Sequence, residues 1–263
     1  MPAPPVTFTV FTKPWTMPLP ELARHVASLG FSGVELPVRP GFQVEPDRVA
    51  QDLPVACRIL ADHGLRIASV AGPTHPAAIA TYGDCGIPVV RICVSIERDE
   101  PYLAAEERLR RDFDAMLPAL ERHGVTLGIQ NHCGRSVANA MGLLHLIEAY
   151  DPRRVGAVLD AGHNGLMGEE PELAVDIVWD RLCMVNLKSA LWQRTNGPEA
   201  PVAEWRPYWT TGRHGLSAWP RYAAALRARG YDGVICLTAE YDDHQSVNRL
   251  IAEDLSFACE LLR

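Results

Sequence analysis

VGAVLDAGHN, residues 155–164, decides how the rest of the chain is read. Val155, Ala157, Val158 and Leu159 form an apolar run too short for a helix, which predicts a buried strand. The run closes on Asp160, then Gly162, His163 and Asn164. An acid and an imidazole at the carboxyl end of a buried strand have two readings. In one, Asp160 caps the next segment and His163 bonds to backbone, as both residue types do in turns. In the other, both face a site, because a parallel α/β barrel carries its chemistry at the carboxyl ends of its strands. Whether other strand ends look alike separates the two.

A unit recurs along the chain: an amphipathic helix, a glycine, then a short apolar strand. The instances are SLG-FSGVEL, DHG-LRIASV, DCG-IPVVRICV, RHG-VTLGIQ and RG-YDGVICL. Gly30, Gly64, Gly86, Gly124 and Gly230 stand where a helix end needs a left-handed residue. Helix-then-strand at short spacing means parallel pairing with crossovers. Strands are expected at 6–12, 33–37, 66–70, 88–94, 126–130, 155–160, 183–188 and 233–241. Helices are expected at about 18–29, 47–62 (bent at Pro54), 76–82, 102–122, 136–150, 172–180, 218–229 and 245–262. Eight strands close a parallel barrel, so the fold class is α/β and the architecture a single (β/α)8 TIM barrel over 1–263. The segment 190–216, rich in Trp, Pro, Gly and Arg, is too long for a simple connection and is expected to be a lid or a subunit contact. An open doubly wound sheet would carry a glycine-rich phosphate loop after an early strand, and the sequence has no GxGxxG or GKS/GKT.

Composition narrows the function classes. The 263 residues are 48% hydrophobic and 22% charged, enough for a large core. Seven scattered cysteines without a CxxC pair fit a reduced, cytoplasmic protein. The start MPAPPVTFTV lacks the basic and apolar regions of a signal peptide, and no run approaches a membrane span. A net charge of -7 argues against a nucleic-acid partner.

The other strand ends do look alike. Glu35 follows strand two, His75 lies beyond strand three, and Gln130 and His132 follow strand five. Asn186 and Lys188 come from strand seven, and Glu240 from strand eight. Residues two apart on a strand share a face, which pairs Gln130 with His132 and Asn186 with Lys188. Asp160 and Glu240 are two carboxylates expected in one cavity, where they need a cation, a shared proton or a basic partner. A divalent ion is the economical answer. Glu35 either meets substrate or pairs with an arginine. His75 is expected to be structural. Trp192, Trp205 and Trp209 either cover an apolar sugar face or pack.

With SLGFSGVEL, GVTLGIQNH, VLDAGHN, VNLKSA and GYDGVICLTAEY in place, nearly the whole chain resembles the xylose isomerase-like TIM barrels, the sugar (phosphate) isomerase/epimerase group. In that family a divalent ion is held by Glu, Asp, His and Glu after strands five to eight, and the two Glu move the proton. The resemblance puts Gln130, Asp160, Asn186 and Glu240 at those positions, with His163 facing substrate. Two positions depart: Gln130 stands for Glu and Asn186 for His. Oxygen donors alone favour Mn2+ or Mg2+ over Zn2+, held weakly enough to lose to a chelator. Gln130 cannot exchange a proton, so Glu240 is the expected base and His132 the second acid/base group. Glu35, His163 and Lys188 are the expected substrate contacts. The resemblance thus implies an isomerase or epimerase that abstracts a proton next to the carbonyl of a small carbohydrate, the ion stabilising the enediolate. A lyase or dehydratase on a keto-sugar and a non-catalytic binding paralogue are the alternatives, and a nuclease of the abasic-site type ranks last. Barrels of this group often pair, so a homodimer or higher homo-oligomer is expected.

Overall fold

The computed structural model describes residues 6–262, so the first five residues of the MPAPPVTFTV reading lie outside it. Strands β1 (Thr7–Phe11), β2 (Gly33–Pro37), β3 (Arg66–Ala71), β4 (Val89–Cys93), β5 (Thr126–Gln130), β6 (Val155–Asp160) and β7 (Leu182–Leu187) pair in parallel. β10 (Val234–Leu237) closes the barrel between β7 and β1. The crossovers are α1 (Leu19–Leu29), α2 (Val49–Ala61), α3 (Pro76–Asp84), α4 (Tyr102–His123), α5 (Ala140–Ile147), α7 (Pro171–Val178) and α8 (Trp219–Ala228). α9 (Val247–Leu262) ends the described chain. This is the expected eight-stranded barrel.

Sequence explains the crossovers locally. α1 turns Leu22, Ala23 and Val26 inward, at the spacing of one helical face, and all three are buried. Each such Leu or Val contributes about 1.5–3 kcal/mol by leaving water. The five repeat glycines all adopt positive φ, from 66° to 93°. At Gly30 the backbone N–H caps Ala27, and at Gly124 it caps Leu120, so the chain reverses into the next strand within two or three residues.

The main core lies between strands and helices. A smaller cluster of Phe11, Ala71, Val158, Met184 and Cys236, drawn from separate strands, fills the barrel's interior. Above it, towards the carboxyl ends, the interior turns polar.

Three elements differ from the sequence reading. α6 (Ala161–Met167) is a short helix directly after β6, unforeseen because it holds two glycines and no apolar stripe. The eighth barrel strand stops at Leu237, because Ala239 has a φ of 52°, incompatible with an extended chain. The segment 190–216 folds as an antiparallel hairpin of β8 (Ser189–Arg194) and β9 (Trp205–Thr210). No described helix is long and apolar enough to cross a membrane.

Candidate active site

The parallel register brings the site together. Asp160 at the end of β6 sits beside Asn186 of β7, and Gln130 ends β5 one strand over. Asp160 caps the next segment with one oxygen and turns the other inward. Its Oδ1 accepts the N–H groups of Gly162 (2.9 Å) and His163 (3.1 Å), capping α6. Its Oδ2 faces the barrel interior and accepts the Gln130 amide N–H at 2.8 Å, with the Asn186 amide at 3.5 Å. Asp160, Asn186 and Glu35 are fully buried. Burial pushes the Asp160 carboxyl up from its ordinary range, opposed by Lys188 and the His163 N–H.

An arginine holds this layer in order. Arg91, in the middle of β4, donates to both Glu35 oxygens at 2.8 and 2.7 Å and to Gln130 Oε1 at 2.8 Å. Ser69 donates a further bond to Glu35. The Gln130 amide therefore has one orientation: its oxygen must face Arg91, and its N–H2 must face Asp160. Burial works against the Arg91 charge, but Glu35 holds its pKa above the ordinary value.

A second cluster lies beside the first. The Lys188 ammonium bonds Glu240 Oε2 and lies 3.2 Å from His163 Nε2. Lys13 takes the other Glu240 oxygen at 2.7 Å. Burial raises the Glu240 carboxyl, but the two lysines pull it down further, to about 2. Burial likewise disfavours the Lys188 charge, while Glu240 and Asp160 hold its pKa above the ordinary value. The lysine stem passes over Gly162, where an added Cβ would stand 2.8 Å from Lys188 Cγ. Trp209 of β9 covers the ammonium, 3.8 Å from Nζ to the ring centroid. Asp242 anchors that tryptophan by accepting its backbone N–H at 2.6 Å. His163 Nδ1 accepts the Cys133 N–H at 3.2 Å, and burial with the Lys188 charge keeps the ring neutral. His132 lies against His163, ring centroids 3.8 Å apart. Its Nδ1 faces the Cys133 carbonyl at 2.8 Å, so that nitrogen carries the proton and Nε2 keeps a lone pair.

Do these residues fit the divalent ion that the resemblance implies? At the four positions Glu240 gives both oxygens to lysines, Gln130 gives its oxygen to Arg91, and Asp160 has both oxygens bonded. The one unpartnered oxygen is Asn186 Oδ1. The two departures from the family pattern thus share a consequence: both Gln130 and Asn186 turn amide donors towards Asp160, and Lys188 supplies the positive charge next to Glu240. A carboxylate at 130 would need an ion or a proton in that place; the amide needs neither. His132, Cys133 and His163 also bring three ligand-type atoms within 4.8 Å of one another. There, however, both His163 nitrogens are engaged, one by a backbone N–H and one next to an ammonium. Neither arrangement fits a divalent ion.

The cavity at this rim is about 120 Å3 and is lined by Lys13, Arg39, Arg91, His132, Asn186, Lys188 and Glu240, among others. A larger cavity of about 350 Å3 lies at the opposite end, against Cys57, Cys85, Arg66 and Val234. It gathers no cluster of opposed charges, so the smaller one is the candidate site. Of the residues expected from sequence, Gln130, His132, Asn186, Lys188 and Glu240 line the cavity. Asp160 and His163 stand directly behind them, and Glu35 stands behind Arg91. His75 caps α3, its Nδ1 accepting the Ala78 N–H. Lys13, Arg39 and Arg91 escaped the sequence reading. A charged residue inside the apolar strand PVVRICV was the signal for Arg91.

Comparisons with known proteins agree with the fold. Residues 23–261 match the family described as Xylose isomerase-like TIM barrel. An inosose dehydratase of Lacticaseibacillus casei is 23% identical over 155 residues, 56% of this chain and 52% of that protein, so the chain spans about half the length of the curated relatives it matches. A D-psicose 3-epimerase from Clostridium cellulolyticum H10 superposes with a TM-score of 0.74 at 12% identity, covering 98% of this chain and 100% of that one. A probable 3-DHS dehydratase from Bacillus anthracis gives 0.75 at 12% identity, covering 97% and 99%. At these identities the structural likeness speaks for the fold.

Proposed function

This chain belongs to the xylose isomerase-like TIM barrel family, and we propose that it is an enzyme moving a proton next to the carbonyl of a small hydroxy-carbonyl substrate, with Lys188 in the place of the family's divalent ion. The observation that carries this reading is the Lys188 ammonium, buried under Trp209 beside Glu240 and His163 and close to Asp160. A fixed cation in a water-poor site stabilises an oxyanion where charge develops, because nothing has to reorganise when the charge appears. Glu240 and Gly162 position the ammonium; Glu240 is too firmly paired and too acidic to serve as the base expected from sequence. That role falls to His132, whose Nε2 lone pair is fixed by the Nδ1–H to Cys133. Asn186 Oδ1, buried and unpartnered, accepts a substrate hydroxyl.

The step is as follows. His132 Nε2 takes the proton from the carbon next to the carbonyl, the electron pair moves into the new carbon–carbon double bond, and the carbonyl oxygen becomes an enediolate oxygen against Lys188. The proton of the adjacent hydroxyl passes to the enediolate oxygen, and His132 returns the abstracted proton to the former carbonyl carbon, which moves the carbonyl one carbon along and isomerises the substrate. Departure of a β-hydroxyl as water gives a dehydration instead. Epimerisation needs acid/base groups on both faces of that carbon, and with Gln130 unable to exchange a proton only His132 is free. Isomerisation or dehydration is therefore the better reading. Incorporation of solvent deuterium next to the carbonyl, followed by NMR across small ketoses and keto-acids, tests it. Exchange that disappears in His132→Gln supports the reading; exchange unchanged in that variant refutes it.

A further inference from the structure

We infer that the substrate carries a carboxylate, received by the Arg39 guanidinium at the mouth of the cavity. The inference rests on the reading of this rim as the substrate site. Four cations line the cavity: Lys13, Arg39, Arg91 and Lys188. Three are spoken for. Arg91 is spent on Glu35 and Gln130, and Lys13 and Lys188 share Glu240. Arg39 makes no ion pair among the described residues. Its guanidinium lies over Phe11, 5.5 Å from the ring centroid, on the ring that also carries Arg91 at 4.9 Å. It is half-buried at the start of the loop leaving β2.

The cost of that placement is plain. Burial and the like charge of Arg91 both disfavour the Arg39 cation, and Glu35 and Glu240 only partly offset them. A positive fork, partly stripped of water and held beside a second guanidinium, is a receptor for a planar anion. The charges on the cavity's own walls point the same way. Counting Glu35, Asp160 and Glu240 against the four cations leaves an excess of one positive charge, and it belongs to Arg39. A neutral ketose would leave it unanswered. The cavity's small volume suits a substrate of a few carbons, with its carbonyl at Lys188 and its carboxylate at Arg39.

The test is a pair of probes that differ only in this feature: dihydroxyacetone and hydroxypyruvate, the second bearing a carboxylate where the first bears a hydroxymethyl. Binding to the purified protein is titrated calorimetrically, with no turnover required. Hydroxypyruvate is expected to bind roughly 10–100-fold more tightly, the range of a charged hydrogen-bonded pair. In Arg39→Met that preference collapses. In Arg39→Lys, which keeps the charge and loses the fork, it is partly retained. Thermal melts of each variant confirm folding. Equal binding of the two probes by the native protein, or a preference untouched in Arg39→Met, overturns the inference. So does tighter, Arg39-dependent binding of dihydroxyacetone phosphate, which would make the anion a phosphate. A carboxylate preference without deuterium exchange would sink the proposed reaction and leave this assignment standing; exchange without the preference would do the reverse.

Discussion

Gln130→Glu is the most informative single change, because it restores the family's charge and removes this chain's substitute for it. The new oxygen would take the place of an amide nitrogen 2.8 Å from Asp160 Oδ2. Two unit charges about 4 Å apart cost about 4 kcal/mol at an effective dielectric constant near 20. The lost N–H donor to a carboxylate costs about 1.5–3 kcal/mol more. Arg91 returns part of this, but it already serves Glu35. A net loss of about 2–4 kcal/mol at pH 8 is expected, read by urea denaturation. The same change should create an ion site. Free Mn2+ at 100 times its Kd would restore about 2.7 kcal/mol, whereas the native protein, stripped with chelator and dialysed, should show no shift in its midpoint and no calorimetric binding. A native protein that binds one Mn2+ tightly, together with a Gln130→Glu variant as stable as native, would refute the reasoning.

Four other changes follow from the same geometry. Lys188→Met should lower the deuterium-exchange rate about 10²–10³-fold, the range for losing one oxyanion donor, with the fold intact by circular dichroism. Gly162→Ala should slow exchange as well, because its Cβ collides with Lys188 Cγ, and a cocrystal or NMR comparison should find the lysine displaced. Arg91→Met leaves Glu35 buried without a counter-charge and should cost about 3–5 kcal/mol in urea denaturation, with Arg91→Met/Glu35→Gln recovering much of it. Asp254 is pushed up to about 6 by burial, against the Gly212 N–H and Tyr241 O–H that favour its charged form. A raised carboxyl contributes stability at low pH that is lost as pH rises from about 4 through about 6, so Asp254→Asn should remove a component of about 2–3 kcal/mol from the difference in stability between pH 4 and pH 7.

The barrel was legible because its signals are local and repeated. Each glycine C-cap is a backbone requirement that one residue announces, and each strand is a short apolar run. The rim was legible in position for the same reason: polar residues at the ends of apolar strands have few reasons to be there. What each group does was not legible, because that depends on partners far apart in sequence. Glu240 reads as a free base until Lys13 and Lys188, 227 and 52 residues away in sequence, are found on its two oxygens. Gln130 reads as a weakened oxygen ligand until Arg91 turns its amide around. Arg39 sat in a loop without a motif, and only the count of paired and unpaired charges marks it. The length and composition of 190–216 mark it in sequence as more than a simple connection, but the antiparallel pairing of β8 with β9 and the seat of Trp209 over Lys188 are tertiary facts.

The central claim is that proton transfer here runs on the chain's own cations. Its most direct measurement is the rate of solvent-deuterium incorporation into hydroxypyruvate by protein stripped of metal and held in excess chelator, compared with the same protein given Mn2+ or Mg2+. The account predicts equal rates in both, abolished in His132→Gln and greatly slowed in Lys188→Met. Exchange that vanishes in chelator and returns with the added ion would contradict it.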